Sequence, residues 1–351
     1  MNYIKSSNYY NPAIFVWLLT ITAMVLLIIV IGGLTRLTDS GLSMTDWRPI
    51  LGIIPPIGFE KWMIVFEMYK QTPEYKIVNK NMSLDEFKYI FWWEWFHRIF
   101  ARAIGVVFII PLIYFSLKKQ IQSSLYIRLG VVFIFGLFQA FVGWWMVKSG
   151  LTDNPYVSPY RLTFHLLNAL IIFSILMWIA MDYRYSSNIN FMSKPFTTEF
   201  YIFLSVILIF ITIATGGFMA GTNSGQSFNT FPLMNGQIIP DDYLIDELGI
   251  YNIFENTVAI NFNHRWISIF AFFYIIFICF KFIKFNNKIV SSKLVYLILF
   301  FLTLQVVLGI ITLLSNVYLP VASMHQTNSI LLLSTLLISY HQIKIRKVKN
   351  V

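Results

Sequence analysis

The chain has 351 residues, of which 57% are apolar or aromatic and 12% are charged, against roughly 25% charged in an ordinary soluble domain. These proportions exclude a disordered chain, a coiled coil and a nucleic-acid-binding domain, and they argue strongly against a soluble enzyme. The net charge of +10 fits this reading because Lys and Arg sit between apolar runs, and the single cysteine, Cys279, excludes a disulfide framework or a cysteine-rich metal or iron–sulfur site.

Apolar runs long enough for a bilayer, about 20 residues each, fall at 13–34, 96–117, 124–147, 161–181, 198–219, 264–283, 292–314 and 322–340. The first is too long for a signal-peptide core and lacks a small-residue cleavage site, so it reads as retained. The runs are continuous, without the alternating polarity of a β-barrel. Cys279 lies in the sixth run and reads as a small packing residue. The N-terminus and the second, fourth and sixth loops carry Lys5, Lys118, Lys119, Arg128, Arg184, Lys194, Lys281, Lys284, Lys288 and Lys293, and the tail adds Lys344, Arg346, Lys347 and Lys349. The fifth loop, about 220–262, has no Lys or Arg and five acids: Asp241, Asp242, Asp246, Glu247 and Glu255. The seventh loop is uncharged. The positive-inside rule therefore predicts both termini in the cytoplasm and the odd-numbered loops outside. The basic first loop, about 60 residues long, is long enough to escape that rule.

The two halves of the chain repeat. Gly32-Gly33 heads a stretch with Thr38, Ser40, Gly41, Ser43, Gly52 and Pro56. Gly216-Gly217 heads another, with Thr222, Ser224, Gly225, Ser227, Gly236 and Pro240. His97-Arg98 matches His264-Arg265, Gln139 and Gly143 match Gln305 and Gly309, and His165 and Asn168 match His325 and Asn328. The matched residues are the polar ones and the glycines, which an apolar composition does not supply by chance. An even number of spans per half makes this a parallel repeat about an axis along the membrane normal. The predicted fold is an all-α integral membrane protein whose eight transmembrane helices form two pseudo-symmetric four-helix bundles, residues 1–190 and 191–351.

Four of the five histidines, His97, His165, His264 and His325, begin even-numbered spans, and so lie near the outer face at one depth. His341, beside the basic tail, reads as an interfacial residue. Two imidazoles on two helices of each half suit axial ligation of a haem iron, giving two bis-His sites. Zinc or copper would want further N, S or O ligands; purely structural histidines are the remaining alternative. Arg98 and Arg265 directly follow a histidine and can pair with a haem propionate or snorkel toward headgroups. Asn168 and Asn328, three residues after a histidine, can reach either a haem substituent or a neighbouring helix.

The halves also differ. Glu94 shares a helix face with His97, whereas its counterpart is Asn261. Arg36, Asp39 and Asp46 correspond to Ala220, Asn223 and Thr230. A haem whose periphery reacts benefits from a titratable neighbour, while one that only passes electrons does not. The competing reading makes Glu94 an interfacial carboxylate in a helix that starts earlier, at the capping box of Ser83 and Glu86.

GGLTRLTDSGLSMTDWRPILGIIPP at 32–56, EWFHR at 94–98, FH at 164–165, GGFMAGTNSG at 216–225, NHRW at 263–266 and MHQTN at 324–328 together resemble the haem A synthase family, over nearly the whole chain. The resemblance implies an oxidoreductase of the inner (plasma) membrane that takes a methyl group of haem O to a formyl group, by successive hydroxylations, for cytochrome oxidase. It implies catalytic Glu94, His97 and His165 at the substrate haem, and a haem b cofactor on His264 and His325. The implied partners are haem O and the enzyme that makes it, an electron acceptor left unidentified, the bilayer and, as an open option, a homo-oligomer; nucleic acid is excluded. Some members carry a cysteine pair in the first outer loop, and this chain has none. Two other functions compete. A di-haem b-type cytochrome passing electrons from quinol to a partner would need four histidines but not Glu94. A haem transporter would need helices broken midway by Gly or Pro, which the spans lack.

Overall fold

The computed structural model describes residues 10–46, 51–185, 196–284 and 290–349. Lys5, Lys194 and Lys288, residues 47–50 of the first motif and the expected boundary between the halves lie outside the described residues. The chain folds as helices α1 (Pro12–Leu37), α2 (Phe59–Tyr69), α3 (Pro73–Ile77), α4 (Leu84–Leu117), α5 (Ser123–Gly150), α6 (Pro159–Tyr185), α7 (Phe196–Thr222), α8 (Asn252–Glu255), α9 (Thr257–Lys284), α10 (Ser292–Leu314) and α11 (Leu319–Lys349). Eight of these, α1, α4 to α7 and α9 to α11, are long and apolar enough to span a bilayer, as the runs predict.

Local signals set the ends of the spans. Asn11 caps α1, with its side chain accepting the Ala13 N–H and Pro12 in the first turn. At α4 the Ser83 hydroxyl accepts the Glu86 N–H, and the Glu86 carboxylate accepts the Ser83 N–H at 2.7 Å. The helix therefore starts at Leu84, a dozen residues before the apolar run, and continues unbroken through Pro111. Asn256 does the same for α9, accepting the Val258 N–H at 2.9 Å, so that helix starts at Thr257 rather than 264. His97 and His264 thus lie inside their helices and not at their beginnings.

Packing follows the repeat. In the first half α1 packs on α4 and α6, and α5 on α6; in the second, α7 packs on α9 and α11, and α10 on α11. The halves meet through α6 on α7 and α1 on α11, contacts that the same correspondence exchanges. Small residues permit the close approaches. A Cβ on Gly33 would strike the Gln326 side chain at 1.8 Å, and one on Gly217 would strike Thr163 Oγ1 at 2.9 Å. One buried apolar core runs through both halves, from Leu18 and Leu129 to Leu170, Ile275 and Leu333. Central α1, α6, α7 and α11 are the most buried spans; α4, α5, α9 and α10 turn more of their surface outward, with Ile110, Ile134, Phe273 and Phe300 exposed as lipid-facing side chains would be.

The turns after α1 and α7 are also alike. Asp39 and Asn223 both take a left-handed backbone, φ 46° and 56°, which Asp and Asn tolerate better than most residues. Thr38 bonds to Ser40 as Thr222 does to Ser224. Arg36 reaches across to its own counterparts, donating to the Ala220 carbonyl (2.6 Å) and Asn223 Oδ1 (2.7 Å), while pairing with Asp39 (2.5 Å).

His341 corrects the expectation of an interfacial residue. Because α11 continues to Lys349 and packs on α6, His341 is 2% exposed, 2.8 Å from Asp182 Oδ1 and edge-on to Trp178. Arg128 pairs with the other oxygen of Asp182. Cys279 is buried among apolar side chains, as expected.

Candidate haem-binding and catalytic site

The histidines fall into two pairs, each joining a peripheral helix to a central one: His97 on α4 with His165 on α6, and His264 on α9 with His325 on α11. Each pair lies within mutual electrostatic range. All four histidines are half-buried.

Each ring lies against a glycine of a neighbouring helix. A Cβ on Gly32 would come 3.3 Å from His97 Nε2, and one on Gly143 would come 2.9 Å from His165 Cε1. In the second half Gly216 stands 3.4 Å from His264 Cε1 and Gly309 stands 2.9 Å from His325 Cε1 by the same measure. The glycines matched in the sequence repeat thus leave the space the imidazoles occupy, a role that spacing alone did not reveal.

Gln139 and Gln305, also matched in the repeat, hold the second histidine of each pair. Gln139 Nε2 lies 3.2 Å from His165 Nε2 and donates to the His165 carbonyl. Gln305 Nε2 lies 3.2 Å from His325 Nδ1. Asn168 and Asn328 orient these glutamines, donating to Gln139 Oε1 (2.6 Å) and Gln305 Oε1 (2.7 Å) and to the carbonyls of Phe135 and Phe301. Both asparagines reach the neighbouring helix, and Asn328 Oδ1 is buried without a hydrogen-bond partner. His165 Nδ1 is buried without a hydrogen-bond partner, which leaves a donor set poised for something besides protein. His264 differs from His97 in having a hydroxyl, Thr215 Oγ1, 2.8 Å from its Nδ1; Ile31 occupies the matched place in α1.

Glu94, one turn before His97, is 3% exposed. Its Oε2 accepts Ser43 Oγ (2.7 Å) and the Met44 N–H (2.8 Å), and its Oε1 pairs with Arg98 at 2.5 Å. Arg98 also donates to the Met44 carbonyl. Asn261 is fully buried at the equivalent place; it donates to the Ser224 carbonyl and accepts Arg265 Nε at 2.7 Å. Arg265 spends its remaining guanidinium nitrogens on the carbonyls of Thr230 and Phe228. Both arginines therefore tie a loop to the helix that carries a histidine. Among the described residues, no group of three or more His, Cys, Asp or Glu side chains could hold a metal ion.

Comparison with known proteins finds relatives along nearly the whole chain. The sequence model of a family described as cytochrome oxidase assembly protein, COX15-CtaA, covers residues 15–337. A heme A synthase of Nitrosomonas eutropha is 42% identical over 325 residues, 92% of this chain and 91% of the relative. One from the Wolbachia of Culex pipiens is 42% identical over 317 residues, covering 90% and 93%. Another, from Nitrosospira multiformis, is 41% identical over 339 residues, covering 94% and 93%. With nearly its whole length matched, the chain belongs to the COX15-CtaA family of cytochrome oxidase assembly proteins.

Proposed function

We propose that the two histidine pairs divide the work of a haem A synthase: the first half holds haem O as substrate and oxidises its ring methyl to a formyl group, and the second half holds a haem b. The chain is an oxidoreductase of the haem A synthase class, an integral multi-pass membrane protein acting on haem O. The observation that carries the division of labour is the buried Glu94, with its three donors, standing where the second half has the neutral Asn261.

In this reading residues 1–190 are the substrate half and 191–351 the cofactor half. His97 and His165 bind the substrate's iron, and Gly32 and Gly143 leave room for their rings. Glu94, one turn from His97, would supply the carboxylate that takes up protons or stabilises developing positive charge. Arg98, Ser43 and Met44 N–H hold that carboxylate in place, so it reacts from a fixed position. Arg98 and Arg265 also set positive charge at the mouth of each site, where propionates would lie. His264 and His325 would hold the haem b, which supplies one-electron transfer when bound. Thr215 fixes the ring orientation of His264. Haem O arrives from the enzyme that makes it, an electron acceptor takes the electrons, and a second copy of the chain is a further candidate partner.

The test is to express the chain with a haem O supply and analyse the extracted haem by chromatography and mass. Haem A above the empty-vector control is expected. Unchanged haem O with an intact di-haem spectrum would favour the di-haem cytochrome instead.

A further inference from the structure

The two halves hold their histidines differently. Thr215 stands one residue before Gly216 on α7, 2.8 Å from His264 Nδ1, and Ile31 takes the matched place before Gly32 on α1. The Thr215 hydroxyl also donates to the Thr212 carbonyl at 2.9 Å, a bond that satisfies a helical threonine by itself. A hydroxyl has one proton, so with that proton on the Thr212 carbonyl the oxygen is an acceptor toward the ring. His264 Nδ1 then carries the imidazole proton, and Nε2 keeps the free lone pair that a metal needs. The Ile31 side chain has no atom that can accept, so this place cannot fix the tautomer of His97.

The rings are turned accordingly. Toward Gly32 the nearest atoms of His97 are Nε2 and Cδ2, whereas toward Gly216 those of His264 are Cε1 and Nδ1. His264 thus gives its Nδ1 edge to the helix that carries Thr215. His97 rests with its Nε2 edge against α1 and has to turn before that nitrogen can ligate. The second ring of each pair shows the same bias. His325 Nδ1 lies 3.1 Å from the Gln305 carbonyl, an oxygen that can only accept, while His165 Nδ1 is buried with no hydrogen-bond partner among the described residues.

We propose that this difference makes the second half the retaining haem site and the first half the exchanging one, with Thr215 as the positioning residue that sets the contrast. An oxygen that accepts the Nδ1–H of a ligating histidine fixes the ring and makes its other nitrogen more basic. Such partners are worth about 10–100-fold in metal affinity. A cofactor that stays through many turnovers is served by that support, whereas a substrate that has to leave as product is hindered by it. The proposal rests on the reading that His264 and His325 hold a resident haem and His97 and His165 the substrate, and it names what separates the two sites.

The experiment loads the full-length protein with iron protoporphyrin IX and removes one histidine pair at a time, so that each site is read alone. With His97→Ala and His165→Ala in place, the loss of low-spin absorbance to an excess of haem-free globin and the midpoint potential are measured for the native Thr215, Thr215→Val and Thr215→Ser. Thr215→Val keeps the branched shape without the hydroxyl, and it should lose haem about tenfold faster. Its midpoint should rise, because a less basic imidazole favours oxidised iron less; a tenfold change in that preference is about 59 mV for a one-electron couple. Thr215→Ser should retain the native rate and potential. A threonine that served only to pack α7 would leave the potential where it was. With His264→Ala and His325→Ala instead, Ile31→Thr should slow haem loss from the first half several-fold. A folded Thr215→Val with the native loss rate and potential would overturn the proposal; so would an unchanged loss rate in Ile31→Thr, even if Thr215→Val did not fold. Thr215→Val unmoved beside a wild type that makes haem A would sink this inference alone, whereas a chain that takes up haem in neither background would sink the functional reading with it.

Discussion

At the scale of single residues, the site consists of polar groups that an apolar bilayer does not favour unless they are used. His264 and His325 should hold a low-spin bis-His haem, and replacing either with Ala should remove that spectrum from the purified protein. A double variant that keeps the full low-spin signal would refute the assignment. The glycines give a second prediction. Gly309→Val puts branched bulk where even a Cβ would lie 2.9 Å from the His325 ring, so second-half haem occupancy should fall several-fold while the protein still inserts. Pigment per protein, measured by the pyridine haemochrome, checks this. The histidines and the matched glycines and glutamines were legible in the sequence because they recur among residues that otherwise carry no pattern, and Glu94 because it departs from the repeat at Asn261. Ser43 and the Met44 N–H were not legible as the partners of Glu94, since a contact across 50 residues depends on how the loop folds. Thr215 was missed because nothing in the repeat matches it.

At the scale of elements, the spans were legible from hydropathy but their beginnings were not. Residues 84–95 include Asp85, Glu86, Lys88 and Glu94, which interrupt an apolar run without interrupting a helix. The Ser83–Glu86 capping box carried the correct start, and hydropathy alone overlooked it. This extension matters for function because it places Glu94 on a continuous helical face with Phe87, Phe91 and His97, with its register fixed at Ser83. Ser83→Ala should cost about 1 kcal/mol, the usual worth of an N-cap. Amide exchange should quicken in the first turn of α4 while the second-half haem spectrum stays unchanged. The same blindness at helix ends hid the burial of His341, which lies beyond the last apolar residue counted but still inside α11.

At the scale of the whole molecule, helix contacts recur between the two halves, and on the proposed function the departures from the repeat carry the chemistry. Thr38-Asp39-Ser40 and Thr222-Asn223-Ser224 make like turns, yet only the first half adds Arg36 and Glu94 around its loop. Fusions at Asp242 and at the C-terminus should report Asp242 outside and the C-terminus in the cytoplasm; cytoplasmic activity at Asp242 would reverse the orientation and move the histidine ends to the other face. The central claim is that the carboxylate of Glu94, and not the repeated framework, makes the first half reactive. The most direct measurement is the haem content of cells supplied with haem O and expressing Glu94→Gln or its reciprocal, Asn261→Asp. Losing a positioned acid–base group costs about 10²–10⁴-fold in rate. Glu94→Gln should therefore keep its second-half haem and accumulate haem O or a partly oxidised haem with little haem A, while Asn261→Asp should produce haem A at close to the normal level. Near-normal haem A from Glu94→Gln would contradict the account.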